Sequence, residues 1–382
     1  MSVKRNILFV TCWYPKNGSS EGIFIKRHAE VLKKAGHSIS IFIIRIGKGP
    51  DLYKKRITES TTEDGINLIE CELKSKAWKF IYTIYPLLRF LLRKEIKSFS
   101  PKYDVVQSNV MHPSSIIGHS ISKRTKSPHV VIEHHSRLPF YLDHFVFRWG
   151  IRRVYRKAAA LIFVSDFLRS MVTSKYAHPR TFVVPNVIDK KVFRNLSLNS
   201  REDGKLKILA IANWNKGKYV VKRPDLILFA LNGLKDQFEI EMEFIGPGNN
   251  IDELRRTSDS LGLNCTFSLE QDTAYIMKRL NEVDYFFHAS EIETFSMVVV
   301  EALSVGVPVL VSNVGAIPEH ITPENGVLVE NTNEAWKNGA LEITHRSYSR
   351  KEISEDMEDR YSSDVVAKKL NHVYDIVLNE VA

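Results

Sequence analysis

Asn6-Ile-Leu-Phe-Val-Thr11, the loop 15–22, helical spacing through Phe24, His28, Val31, Leu32 and Ala35 to a stop at Gly36, then Ser38-Ile-Ser-Ile-Phe-Ile-Ile44 open the chain. The order is strand, loop, helix, strand. Both apolar runs are near-continuous, the pattern of parallel strands buried on two faces and covered by helices. Further apolar runs end at Val106, Ile132 and Val164, with helical patterns between them. Val183-Val-Pro-Asn-Val-Ile-Asp189 closes the series, and the polar stretch 194–205 reads as a linker. The pattern then restarts, with strand candidates at 206–212, 241–245, 266–267, 285–287, 308–312 and 326–329. The expected fold class is α/β: two doubly wound Rossmann-like domains, 1–195 and 196–362, facing across a cleft, with ligands at the carboxyl ends of the strands. Periodicity leaves the last helical stretch, 363–382, open between staying on the second domain and crossing back to the first.

The 382 residues, 44% hydrophobic and 26% charged with 18 Gly and 14 Pro, exclude a small module, a collagen-like repeat and a disordered chain. Cys12, Cys71 and Cys265 match no metal or disulfide spacing and favour a reducing compartment. The apolar run Ile7 to Val10 is too short for a secretory signal, and no stretch reaches the roughly 20 apolar residues of a spanning helix. A cytoplasmic protein, at most peripheral on the inner face of the membrane, is expected. The net charge of +10 hides an asymmetry: residues 1–200 hold 35 basic against 14 acidic side chains, and the remainder 19 against 30. The first half therefore suits an anionic partner.

The sharpest local signal is Ser290-Glu-Ile-Glu-Thr-Phe-Ser-Met-Val-Val-Val-Glu301, continuing to Val309. Thr294-Phe295-Ser296 forms a turn into a helix from about Met297, and the start of that helix offers backbone N–H groups and a positive dipole end to a phosphate. Glu293 and Glu301, on the order of 12 Å apart at most, can reach opposite ends of one ligand. Glu301 lies among valines and leucine, where a carboxylate needs a partner. Read in isolation, a helix cap at Glu293 and a solvated helix residue at Glu301 is the lesser alternative.

This segment closely resembles the Glu-x7-Glu motif of the retaining glycosyltransferases of family 4, the group 1 sugar-nucleotide transferases with the GT-B fold. Gly36-His37, Tyr103-Asp104, Glu133-His134, Val184-Pro-Asn, Lys222-Arg223, Gly246-Pro-Gly248 and Gly315-Ala-Ile-Pro-Glu319 extend the resemblance over nearly the whole chain. The resemblance implies that Glu293 contacts hydroxyls of the transferred sugar and Glu301 those of the ribose. Backbone N–H groups of Thr294, Phe295 and Ser296 would hold sugar and diphosphate, with Lys222 neutralising the diphosphate. His134 would lie near the reaction centre, and Gly22 would let backbone approach the diphosphate or the acceptor. The family needs no cofactor beyond the co-substrate nucleotide sugar and no metal, and the sequence contains no Asp-x-Asp pair.

One departure matters. The family's Gly-Arg-Leu is replaced by Ile211-Ala-Asn-Trp214, so its phosphate-binding arginine is missing, with Arg223, Lys216 or Lys218 as substitutes. The expected function is retaining transfer of a hexosyl unit, from a UDP-sugar sooner than a GDP-sugar, to a lipid-linked or anionic glycan acceptor in bacterial cell-surface polysaccharide synthesis. A catalytically silent GT-B-like scaffold is the alternative. A nucleic-acid partner is not expected, since no recognised motif accompanies the charge. An anionic membrane surface is the other partner considered. The stretch Lys74 to Lys97 reads either as one amphipathic helix lying on a membrane, with Arg89, Arg93 and Lys97 on one face, or as a core helix with a basic edge. Arg148, Arg152, Arg153, Arg156 and Lys157 form a second basic group.

Overall fold

The computed structural model describes residues 3–16, 21–100, 102–190, 192–196, 205–216, 221–269 and 272–379. It divides into two units, Met1–Val187 with Ser363–Ala382, and Ile188–Ser362.

Among the described residues of the first unit, the strands are β1 (Asn6–Thr11), β2 (Ser38–Lys48), β3 (Lys54–Thr61), β4 (Asn67–Ser75), β5 (Val105–Asn109), β6 (His129–Glu133), β7 (Ala160–Phe163) and β8 (Thr181–Val183). They form one sheet in the order β3-β4-β2-β1-β5-β6-β7-β8. All neighbours are parallel except β3, which runs antiparallel to β4 at the edge. The order reverses at β1, whose neighbours are β2 and β5. β1 and β5 are buried almost throughout, as their apolar runs require. β3 is Lys-Lys-Arg-Ile-Thr-Glu-Ser-Thr and almost wholly exposed, so no hydrophobic period marks it.

The stretch Lys74 to Lys97 is not one helix. Lys74 and Ser75 end β4, and three short helices follow: Trp78–Thr83, Tyr85–Leu91 and Arg93–Ser98. Pro86 lacks the N–H that would bond back into the preceding turn, which ends the first helix at Ile84, in extended backbone. Ile81, Leu88 and Leu92 join the sheet core with Phe42 and Val106, while Phe80, Ile84 and Phe90 are exposed.

The helix Ser363–Asn379 belongs to the first unit. Val366, Leu370, Val373, Tyr374 and Val377 are its buried stripe. Tyr374 donates its hydroxyl to Gln107 Oε1 on β5, His37 Nε2 bonds Asn371 Oδ1 at 2.8 Å, and Arg5 pairs with Asp375.

The second unit holds β9 (Leu206–Ile211), β10 (Ile240–Ile245), β11 (Cys265–Ser268), β12 (Tyr285–His288), β13 (Val309–Ser312) and β14 (Gly326–Val329). Its sheet runs β11-β10-β9-β12-β13-β14, with every described pair parallel. This is the 3-2-1-4-5-6 order of a doubly wound nucleotide-binding sheet, and its crevice lies beyond the carboxyl ends of β9 and β12. Each strand falls at one of the strand candidates read from the sequence. Ile188 stays with this unit through its N–H to Tyr361 O at 3.1 Å. No described helix in either unit is long and apolar enough to cross a membrane.

Leu370 is fully buried. Leu370→Ala is therefore expected to cost about 2–5 kcal/mol, and Tyr374→Phe about 1 kcal/mol for its lost hydrogen bond. Urea unfolding monitored by fluorescence measures both, and equal midpoints for wild type and Leu370→Ala would show that the helix is not docked.

Candidate functional site

At the switch point of the second sheet, two segments are stitched together. Lys222 and Ser290 form an antiparallel bridge, Ser290 Oγ donates to Val221 O at 3.0 Å, and Arg223 N–H donates to Ala289 O at 3.1 Å. Ser290 is braced from the next strands: its N–H donates to Ser312 Oγ at 3.0 Å, and Asn331 Nδ2 donates to its carbonyl at 2.9 Å. This frame fixes the backbone on both sides of the crevice.

Three side chains converge on it. Lys222 Nζ pairs with Glu293 Oε1 and lies 3.1 Å from His288 Nε2, which is itself 2.9 Å from the same carboxylate oxygen. Ser296 Oγ sits 3.4 Å from His288 Nε2. Burial raises the Glu293 carboxyl, but Lys222 and His288 outweigh it and hold the pKa at about 2. Burial and the Lys222 charge lower His288, against the pull of Glu293, so the imidazole is neutral. Its single Nε2 position can donate to Glu293 or accept from Lys222, not both at once.

The backbone of Glu293 is held from the far side by Gly315. At φ +59° that glycine packs so closely that a Cβ would stand 2.1 Å from Glu293 O, while Ala316 N–H donates to the same oxygen at 2.9 Å. The Gly-Ala-Ile-Pro-Glu segment is thus the clamp that aims Glu293.

Beyond Glu293, the turn behaves residue by residue. Phe295 is buried, its ring edge-on to His320 and Tyr361, and its carbonyl bonds His320 Nε2 at 2.6 Å. Ser296 takes a left-handed conformation and starts the helix Met297–Ser304, whose N-terminus no side chain caps. Thr294 and Glu301 are half-buried and both engaged within the protein. Arg223 stands apart from the Lys222 group: its guanidinium grips both oxygens of Asp225 and Glu291 Oε1 at 2.7 Å, and these hydrogen bonds raise its pKa further. Trp214, where the family arginine is expected nearby, is buried and donates its indole N–H to Ile245 O at 3.0 Å. Lys216 is paired with Glu253, and Lys218 lies outside the described residues.

In the first unit, Gly22 has φ +72° and precedes the helix Ile23–Lys34. A Cβ there would stand 2.6 Å from the Trp13 carbonyl carbon, so only glycine fits this return of the chain. Two residues on, the ring of Phe24 lies 4.2 Å from that of His134 at the end of β6. His134 is buried, and desolvation, with His28 beside it, holds it neutral. Glu133 carries the turn: Oε1 accepts the N–H groups of His134 and His135 at 2.9 and 2.8 Å, and Oε2 accepts Met111 N–H at 2.9 Å.

Lys222, Glu293 and Ser296 thus meet around His288, Gly22 lies two residues before the Phe24 that touches His134, and Phe295 packs on His320 and Tyr361. His288 is the residue the motif reading passed over. Its signal was present: it is the one polar side chain in Tyr285-Phe-Phe-His288, at the carboxyl end of a switch-point strand.

Comparison with known proteins matches residues 22–192 to the model of Glycosyltransferase Family 4 and residues 201–360 to that of Glycosyl transferases group 1. Sulfoquinovosyl transferase SQD2 of Arabidopsis thaliana is 25% identical over 247 residues, covering 60% of this chain but only 46% of that protein's length. Sucrose-phosphate synthase from Thermosynechococcus elongatus superposes with a TM-score of 0.74 at 16% identity, over 99% of this chain and 100% of that one. Anabaena Alr3699/HepE, solved with UDP and glucose, superposes with a TM-score of 0.70 at 14% identity, over 97% and 99% of the two chains. With both sheets, the clamp on Glu293 and two family models in agreement over most of its length, the chain belongs to the family 4, group 1 glycosyltransferases and has the GT-B fold.

Proposed function

We propose that this glycosyltransferase moves a hexosyl unit from a nucleotide diphosphate sugar, UDP-linked in preference to GDP-linked, with retention of configuration and without a metal. The observation that carries this reading is the Lys222–His288–Glu293 group at the switch point, beside the uncapped helix at Ser296. A carboxylate ionised at every working pH accepts hydrogen bonds from sugar hydroxyls, and an ammonium beside it suits a diphosphate. The amide groups from Thr294 to Ser296 and the helix dipole would add to the charge that develops on the leaving diphosphate. Glu301 would take the ribose hydroxyls, and His134 and Gly22 would serve from the first unit. Phosphate binding then rests on Lys222, which lies in the switch-point group, rather than on Arg223, whose guanidinium is turned to Asp225 and Glu291 outside that group. The acceptor is a lipid-linked or otherwise anionic glycan of a bacterial cell surface, reached from the cytoplasmic side of the membrane. The opposite charge of the two halves supports this assignment.

The deciding experiment is ligand-observed NMR on UDP- and GDP-sugars without metal, following binding and slow donor hydrolysis. One donor is expected to bind, to bind more weakly in Glu301→Ala, and to lose hydrolysis in Glu293→Ala. Donor binding with no hydrolysis or transfer in the wild type would favour the silent scaffold. If no nucleotide sugar binds, the donor assignment fails.

Lys222→Met is expected to lower turnover by about 10²–10³-fold. It also leaves burial at Glu293 opposed by His288 alone, so the carboxyl titrates at higher pH and an acid limb absent from the wild type enters the rate profile. A profile of unchanged shape in Lys222→Met would remove the coupling.

A stability measurement reads the same group. The folded pKa of Glu293, about 2, lies below the ordinary 4.5. Its contribution to stability is therefore complete above pH 4.5 and lost as pH falls towards 2. Glu293→Gln should flatten the dependence of the urea midpoint on pH across that window, and an unchanged slope would contradict the assignment.

A further inference from the structure

The second basic group of the sequence is absorbed by neither sheet crevice. It lies on the helix Arg148–Lys157 of the first unit, which packs against the helix Tyr85–Leu91. The approach is close because Gly150 faces the Tyr85 ring, where a Cβ would stand 2.5 Å from Cδ2. This brings Arg89, Lys123 and Arg153 around one cavity of about 420 Å³, with Trp149, Val146 and Ile116 as its apolar wall.

The charge there is uncompensated. No acidic side chain lines the cavity, and among the described residues Arg89, Lys123 and Arg153 make no ion pair. His119 within it is half-buried, with neither ring nitrogen hydrogen-bonded. Burial first, then Lys123, Arg153 and Arg89, hold its pKa down to about 4, so these cations do converge on one point. The neighbouring cavity of about 610 Å³, across Trp149, is different. There Asp143 pairs with Arg152 and Lys175 and bonds the Tyr176 hydroxyl, so part of the charge of Arg148, Arg152, Arg156 and Lys175 is offset.

Large apolar side chains stand out beside the cations. Trp149 is 76% exposed and Phe145 72%, with Phe140 also exposed. Exposed aromatic rings cost free energy in water, and a headgroup layer suits them together with the cations, since rings enter the acyl boundary and guanidinium groups bind phosphate.

We propose that this surface docks the enzyme on an anionic lipid bilayer, with Arg89, Lys123 and Arg153 holding a lipid phosphate and Phe145 and Trp149 entering the interface. The inference deepens the membrane part of the function proposed above and rests on it. It differs from the amphipathic-helix reading of Lys74 to Lys97, a stretch divided into three short helices that gives Ile81, Leu88 and Leu92 to the core. Of that stretch, Arg89 contributes through its charge.

Sedimentation with vesicles of phosphatidylcholine, with and without phosphatidylglycerol, tests it. The full-length protein is expected to bind only the anionic vesicles. Arg89→Gln/Lys123→Gln/Arg153→Gln should weaken that binding about tenfold or more, and Phe145→Ala/Trp149→Ala should weaken it too. The control Lys48→Gln/Lys54→Gln/Arg56→Gln removes equal charge from exposed positions on β2 and β3 and should have little effect. Equal loss in the control would overturn the site in favour of diffuse attraction. Binding competed fully by inorganic pyrophosphate and unchanged in Phe145→Ala/Trp149→Ala would make it a soluble-phosphate site. Salt-sensitive binding of an RNA oligonucleotide with no vesicle binding would make it a nucleic-acid surface. Donor hydrolysis in vesicle-free solution should be unchanged in all three variants. Loss of vesicle binding with hydrolysis intact, or the reverse, therefore separates failure of this surface from failure of the transfer reading.

Discussion

The contact between Lys222 and Glu293 is the constraint around which the second unit is arranged. A carboxylate as buried as Glu293 is expensive unless partnered, and an ammonium from the opposite segment supplies the partner. To bring the two together, the chain after β9 must be sewn to the chain after β12. The Lys222–Ser290 bridge, the Ser312 and Asn331 braces and the Gly315 clamp do this. The parallel sheet delivers all these segments to one end, because every strand points its carboxyl terminus the same way.

The cost of that arrangement is a preformed pair whose charges are already satisfied. A donor must share or displace it, so binding exchanges one set of charge-assisted hydrogen bonds for another rather than filling an empty socket. His288 suits such an exchange. Neutral and fully enclosed, it can donate to the carboxylate or accept from the ammonium, and so accommodates whichever partner the ligand takes.

Much of the architecture was legible because buried parallel strands write themselves as apolar runs. All six strands of the second sheet fall at candidates read from the sequence, although β11, Cys-Thr-Phe-Ser, is half-exposed at the edge, and the family motif singled out Glu293 and Lys222. What could not be read has physical causes. β3 is a solvent-facing edge strand held by its backbone ladder to β4, so its side chains carry no period. The Lys74 to Lys97 stretch has the apolar count of a single helix, but Pro86 and the demand of the core divide it. Arg223 looks like a phosphate ligand by proximity to Lys222, yet Asp225, two residues away, and Glu291 hold it. His288 needs no motif and so matched none.

The docking of Ser363–Asn379 onto the first unit bears on how the protein is made. Ile188–Ser362 is one uninterrupted run and can complete its core as soon as it has left the ribosome. The unit synthesised first cannot: Gln107, Arg5 and His37 wait for Tyr374, Asp375 and Asn371. During translation the amino-terminal sheet therefore stands with part of its surface bare for the time needed to make some 175 further residues. That interval is the period in which a chaperone has something to hold.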